Sequence, residues 1–245
     1  MKTKSCLAVL VIFFTLTSCK KTLLTREVDF TSTQYDFLGT YDSTGLPNYL
    51  VSPDTISAGL LSFIATNLPD GKNLTLSRPD LFTSSASADI VATKSTDIYV
   101  TFVSADAGFT NSVAFYSYPT SQPPTSAADI KNITYIFPNA GSQTPLVPGD
   151  KVKIGSFTAG KTVGFALLED AWSLTTHTLD NNVVHFCSDD ILNPEVSSNL
   201  KRHAVLLNYT PENKLLISFE DTNRTDPSCD NDFNDVVIYC TLVYP

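Results

Sequence analysis

Histidine, tryptophan and methionine are scarce in this 245-residue chain: three His, one Trp and one Met. So few imidazoles and thioethers argue against a haem site or a His-rich metal centre. Basic residues are also few, 16 Lys and Arg against 25 Asp and Glu, for a formal net charge of −9. A phosphate-tracking nucleic-acid binder needs a basic face, so no nucleic-acid partner is expected. Charged residues make up only 17% of the chain while hydrophobic ones reach 42%. That balance excludes general disorder, and the length can bury one good-sized core or two small ones. No GxSxG, HExxH or Cys/His nucleophile pattern occurs, and no repeat of 20–50 residues is visible.

The apolar run 6–16 (CLAVLVIFFTL) is too short to span a bilayer, which takes about 20 residues, but it has the length of a signal-peptide core. Lys2 and Lys4 precede it, and Leu16-Thr17-Ser18-Cys19 follows. The arrangement resembles a bacterial lipobox, in which cleavage before Cys19 leaves a thiol for a diacylglycerol. Residues 1–18 are read as the lipoprotein signal peptide and Cys19 as the lipid attachment site, with 19–26 as a tether. Lys20 and Lys21 after the Cys meet neither the enteric inner-membrane retention rule nor the acidic pattern that accompanies surface export in Bacteroidota. An outer-membrane lipoprotein facing either the periplasm or the cell surface is therefore expected. Three cysteines remain. Cys229 and Cys240 would lie far apart on an extended chain, so Cys187 with either one is the easier disulfide.

The body reads as sheet. Ile56, Leu60, Leu61 and Ile64 fall on one face of a short helix with Asp54 as a candidate cap. Beyond Pro79, strands are expected at 98–103, 113–118, 133–137, 151–157, 162–168, 204–209, 215–219 and 236–243, separated by Gly, Pro, Asn and Ser clusters. The expected fold is mainly β: an antiparallel, jelly-roll-like β-sandwich with one short N-terminal helix. Residues 27–84 would form an N-terminal region packing its helix on the sandwich, and 85–245 the sandwich domain.

The sharpest chemical signal lies between two apolar strands near the C-terminus. Glu220, Asp221, Asp226, Asp230, Asp232 and Asp235 crowd a stretch whose one base is Arg224. Strand pairing would force Glu220 and Asp221 against Asp230, Asp232, Asn234 and Asp235, and packed carboxylates repel unless a cation sits among them. Oxygen-only ligands select calcium or magnesium, and irregular loops suit calcium. Calcium is thus the expected cofactor, with those six residues as its ligands. Asp230, Asp232 and Asn234 open like an EF-hand loop, but Asp235 and Thr241 stand where its Gly and Glu would be. The competing reading is a solvated acidic turn.

The stretch Phe219-Glu220-Asp221 followed by Asp230-Asn231-Asp232-Phe233-Asn234-Asp235 resembles the signature of the bacterial domain-of-unknown-function family 4114. Phe109-Thr110-Asn111-Ser112 leading to Tyr116, and His203 before a strand, resemble further family motifs across roughly 85–245. The segment 45–50 resembles the N-terminal region of Bacteroidota lipoproteins of this kind. Cys229 stands where many members carry Gly. The resemblance implies an exported, calcium-holding β domain without a known reaction.

A non-catalytic, lipid-anchored envelope protein with a calcium-binding sandwich is therefore expected. Its partners would be the membrane, through the anchor, and a glycan or an envelope protein. The alternatives are a carbohydrate hydrolase using the doublets Glu169-Asp170 and Glu220-Asp221, or a structural subunit of an envelope complex. Trp172 with Tyr116, Tyr118 and Tyr135 could form a sugar platform, although core packing is commoner for such rings. A transition-metal trio of His177, His185 and His203 is the weakest candidate.

Overall fold

The computed structural model describes residues 30–83 and 87–245. The expected signal peptide, Cys19 and the tether lie outside the described residues. Among the described residues the chain forms eleven strands. They are β1 (Gln34–Phe37), β2 (Ile90–Ala92), β3 (Thr96–Ala105), β4 (Ser112–Pro119), β5 (Asn132–Phe137), β6 (Lys151–Phe157), β7 (Lys161–Leu168), β8 (His185–Cys187), β9 (Ala204–Tyr209), β10 (Lys214–Phe219) and β11 (Val236–Val243). All eight strands expected from alternation are present, and β1, β2 and β8 are additional.

The first sheet has the order β1-β5-β4-β7-β2, and β8 continues the edge of β7 beyond β2. The second has the order β6-β3-β11-β10-β9. Pairing is antiparallel except between β1 and β5. The mainly β, sandwich-like expectation is met. Strand β1 comes from the segment before the helix, so that early segment is part of the sheet itself.

Side-chain alternation explains the layers. Val163, Phe165 and Leu167 of β7 point between the sheets, where they meet Ile98, Val100, Ile217 and Ile238 from the second sheet. Ala166 and Leu168 face outward into a separate cluster with Tyr116, Ile133 and Tyr135, covered by Phe30, Ile130 and Leu192. On the far side, Val205, Leu207, Leu216 and Tyr239 are covered by Leu60 and Leu74 of two helices, α1 (Ala58–Asn67) and α2 (Leu74–Ser77). Both sheets are thus buried on two faces, which is why Thr162 to Leu168 is a continuous buried run. Each large apolar side chain removed from water contributes roughly 1.5–3 kcal/mol.

The structure corrects two details of the helix and the expected disulfide. Ser57, not Asp54, caps α1, its hydroxyl accepting from the Leu60 N–H at 3.0 Å. Leu60 is buried, while Leu61 stays half exposed. Asp54 is instead drawn onto the second sheet, accepting from Lys151 Nζ at 2.5 Å and the Tyr239 hydroxyl at 2.9 Å. Burial opposes its ionisation, but these donors and the Lys214 charge hold its pKa down to about 2. Cys187, Cys229 and Cys240 are all free thiols. Cys187 faces the outer layer of the first sheet, Cys240 points between the sheets, and Cys229 lies in the acidic loop. Packing into different layers is what keeps Cys187 and Cys240 from pairing. No helix among the described residues is long and apolar enough to cross a membrane.

Candidate metal centre

The β10–β11 ladder closes at Phe219 opposite Val236. Glu220 and Asp235 are the next residues on either side, so the pairing itself brings the two ends of the acidic stretch together. The Asp221 N–H then donates to Asp235 Oδ2 at 2.8 Å.

The DFND segment is wound by its own side chains. Asp230 Oδ1 accepts from the Asp232 N–H at 3.3 Å, and Asp232 Oδ1 from the Asn234 N–H at 3.0 Å. The intervening residues, Asn231 and Phe233, take positive φ values of 61° and 59°. Asparagine tolerates this conformation, whereas an aromatic residue there costs about 1–2 kcal/mol. Burial offsets the cost. The Phe233 ring is fully buried, edge-on to Phe82 at 5.2 Å, with the Arg224 guanidinium 5.6 Å above it. The Ser218 hydroxyl donates to the Phe233 carbonyl. The phenylalanine of the motif therefore pins the loop to the outer face of the second sheet.

Five of the six expected ligands converge. Glu220, Asp230 and Asp232 bring carboxylate oxygens within 4.8 Å of one another, and so do Glu220, Asp221 and Asp235. Glu220 is shared by both triads. Asn234 is next to them, its N–H spent on Asp232. Asp226 is not at the site; its carboxylate caps the exposed turn at Ser228.

Three of the five are out of water, Glu220, Asp221 and Asp232 each being 2% exposed, whereas Asp235 is half-buried and Asp230 is exposed. Burial, then the charges of Asp230 and Asp232, push the Glu220 pKa up to about 7. Burial likewise raises Asp235, with repulsion from Asp221 and Glu220 adding to it. Asp221 and Asp232 are also raised, chiefly by burial. Among the described residues, no Lys, Arg or His forms an ion pair with any of the five. Arg224 turns its donors to Asn231 Oδ1 at 2.7 Å and to the carbonyls of Asn199 and Arg202.

Neutral donors complete the surroundings. The fully buried Asn111 side chain donates to Asp221 Oδ2 at 2.6 Å, and its amide oxygen accepts from the Asp170 N–H at 3.1 Å. Asp170 Oδ1 in turn accepts from the Thr110 hydroxyl at 2.6 Å. The Gly71 N–H donates to Asp232 Oδ2 at 2.7 Å, in the turn that follows α1. The Cys229 thiol donates to Glu220 Oε1 at 3.3 Å, and burial raises its pKa, which keeps it protonated. Charge density alone could not reveal Asn111 or Gly71. The resemblance of residues 109–112 to a family motif was the one signal for Asn111; nothing in the sequence flagged Gly71.

The remaining candidates have structural roles. His203 sends Nδ1 to the Glu220 carbonyl at 3.0 Å and Nε2 to Glu195 at 3.1 Å, its ring stacked on Phe186. His185 contacts the Tyr35 hydroxyl and the Val183 carbonyl. His177 stands near the Trp172 ring, so the three imidazoles do not converge. Trp172, Tyr116 and Tyr135 are buried, and of the suggested platform Tyr118 alone is partly exposed.

The model of the family described as "Domain of unknown function (DUF4114)" matches residues 157–242. That segment, from the end of β6 into β11, contains both halves of the acidic stretch, and it is similar to the domains of this family. The match is shorter than the 85–245 span the motifs suggested, and it leaves Asn111 outside. No curated protein and no solved structure matches the chain.

Proposed function

We propose that the chain is a non-catalytic lipoprotein of a bacterial outer membrane, anchored through Cys19, whose β-sandwich binds calcium and carries an adhesive or glycan-binding surface. The observation that carries the metal reading is a pair of carboxylate triads sharing Glu220, each with oxygens within 4.8 Å of one another and with Glu220, Asp221 and Asp232 buried, without an ion-paired base among the described residues. Buried like charges demand either protons or a cation. Glu220, Asp221, Asp230, Asp232 and Asp235 supply hard oxygen atoms from an irregular loop and a strand end, a donor set that suits calcium better than the stricter octahedron of magnesium. The hydrolase alternative has less support. Carboxyl pairs that flank a glycosidic bond stand about 5–9.5 Å apart with substrate between them, whereas these acids crowd together and are mostly buried. The anchor reading rests on the basic start, the apolar run and Cys19.

Melting curves in calcium and then in chelator test the metal site. Exported calcium modules bind at about 10⁻⁴–10⁻³ M. At ten times the dissociation constant the gain is about 1.4 kcal/mol, or a rise of about 3–6 °C in Tm for a domain of this size. Identical curves with and without calcium at neutral pH would remove the reading.

A further inference from the structure

Strands β4 and β5 form a fork. They pair at Val113–Phe137, Ala114–Tyr135 and Phe115–Thr134 and then separate. Each is held on its other side: β4 stays paired with β7 as far as Pro119–Lys161, and β5 with β1 through Gln34–Asn132. Between the diverging strands and the segment 120–131 lies a cavity of about 690 Å³, within the range of small-ligand sites. It lies at the end of β4 opposite Asn111, roughly 20 Å from it at about 3.3 Å per residue.

The walls are fixed and polar, and their two charged side chains, Asp129 and Lys131, are of opposite sign. Tyr118 lines the cavity, its hydroxyl donating to Asp89 Oδ2 at 2.7 Å and its ring parallel to Tyr116. Asp89 also accepts from the Ser188 hydroxyl. That anchorage holds an aromatic ring in place at the opening. On the loop wall, Asp129 spends its carboxylate on the N–H and hydroxyl of Thr125 and the N–H of Ser126, and Lys131 Nζ donates to the Ala128 carbonyl. Ser117, Gln122 and Thr134 also line the cavity, and among the described residues their side chains make no hydrogen bond.

We propose that this fork is a binding site for a short, uncharged oligosaccharide. Free hydroxyl and amide groups beside one immobilised aromatic ring match a ligand with many hydroxyls and an apolar ring face. The lining carries one acid, Asp129, and one base, Lys131, so it has no net charge that would select uronates or phosphates. An extended peptide fits poorly, since an inserted strand needs about 4.8 Å on each side along its length, and the fork closes at Phe115–Thr134. The assignment builds on the glycan-binding part of the reading above, and it gives that part a location and a ligand class.

The test titrates the full mature protein with cellotriose, maltotriose and mannotriose, followed by calorimetry and by amide shifts, with trigalacturonate as the charged control. At least one neutral probe should bind and move amides of residues 117–134, and trigalacturonate should not. Gln122→Ala, on the exposed loop, and Ser117→Trp, which fills the fork, should each weaken binding by about tenfold or more without lowering Tm. No binding by any neutral probe at about 10 mM, shifts confined to other residues, or full affinity in both variants would each overturn the site. Running every titration with calcium and with chelator separates the two proposals. Saccharide binding that survives while the calcium-dependent Tm shift is absent supports the fork and removes the metal reading alone; the reverse pattern removes the fork alone.

Discussion

Glu220 is the residue on which the acidic centre turns, because its carboxylate belongs to both triads. Its folded pKa of about 7 lies above the ordinary 4.5, through burial and the neighbouring Asp230 and Asp232. Without metal, the native state therefore keeps a proton between about pH 4.5 and 7 that the unfolded chain releases. Its stabilising contribution is complete below the unfolded pKa and is lost as pH rises through the folded one. The loss is on the order of 1–3 kcal/mol, and the raised carboxyls of Asp221, Asp232 and Asp235 act in the same direction. Calcium has the opposite pH dependence, since it needs the ionised carboxylates. In chelator, Tm should fall between pH 5 and pH 8, and added calcium should restore it most at pH 8. Glu220→Gln should flatten the chelator profile and raise Tm at pH 8, while losing the calcium response. A Glu220→Gln protein that melts lower than the parent in chelator at pH 8 would show that the buried charge is already compensated from within the chain.

At the scale of elements, legibility followed the length and pattern of each segment. Strands such as β3, β7 and β11 carry enough alternating or continuous apolar residues to stand out. The three-residue strands β2 and β8 fall below what periodicity can resolve, and β1 is a polar-aromatic tetrapeptide recruited by parallel pairing. The helix was visible, but its cap was not: Ser57 and Asp54 are both good cap residues, and tertiary contacts with Lys151 and Tyr239 decided between them. The carboxylates of the site were legible because six acids abut a strand that has to enter the core. Their neutral donors were not, since Gly71 and Asn111 arrive from distant turns. The 139–144 turn shows how tightly one such donor is held. A Cβ on Gly141 would lie 2.2 Å from the Phe109 carbonyl oxygen and 2.4 Å from the Asn111 nitrogen, both backbone atoms. Gly141→Ala should therefore cost about 1–3 kcal/mol and reduce the calcium-dependent Tm shift by displacing Asn111 from Asp221. Gly108→Ala meets nothing within 4 Å and serves as the control. Equal calcium shifts in both variants would mean that the Asn111 contact does not support the acidic centre.

At the scale of the whole molecule, composition and anchor have opposite consequences. A chain with net charge −9 is repelled by an anionic lipid surface, and among the described residues no helix offers a membrane span. Under the proposed reading, attachment rests on the acyl chains at Cys19. One chain would hold weakly and reversibly, but two or more hold stably, at about 0.8 kcal/mol per buried methylene. Since this attachment is hydrophobic, about 1 M salt, which shortens the screening length to about 3 Å, should leave the parent protein in the membrane pellet. Cys19→Ala should move it to the soluble fraction or leave it as an uncleaved precursor, recognised by its larger mass. The calcium-dependent Tm shift of any soluble form should be unchanged, because no residue of the acidic centre belongs to the leader. If mature-sized Cys19→Ala protein stays in the pellet through the salt wash, a second membrane contact must exist and the lipoprotein reading fails. If instead the parent itself washes off in salt, attachment is electrostatic, and the sandwich would be a peripheral protein held by a partner rather than by lipid.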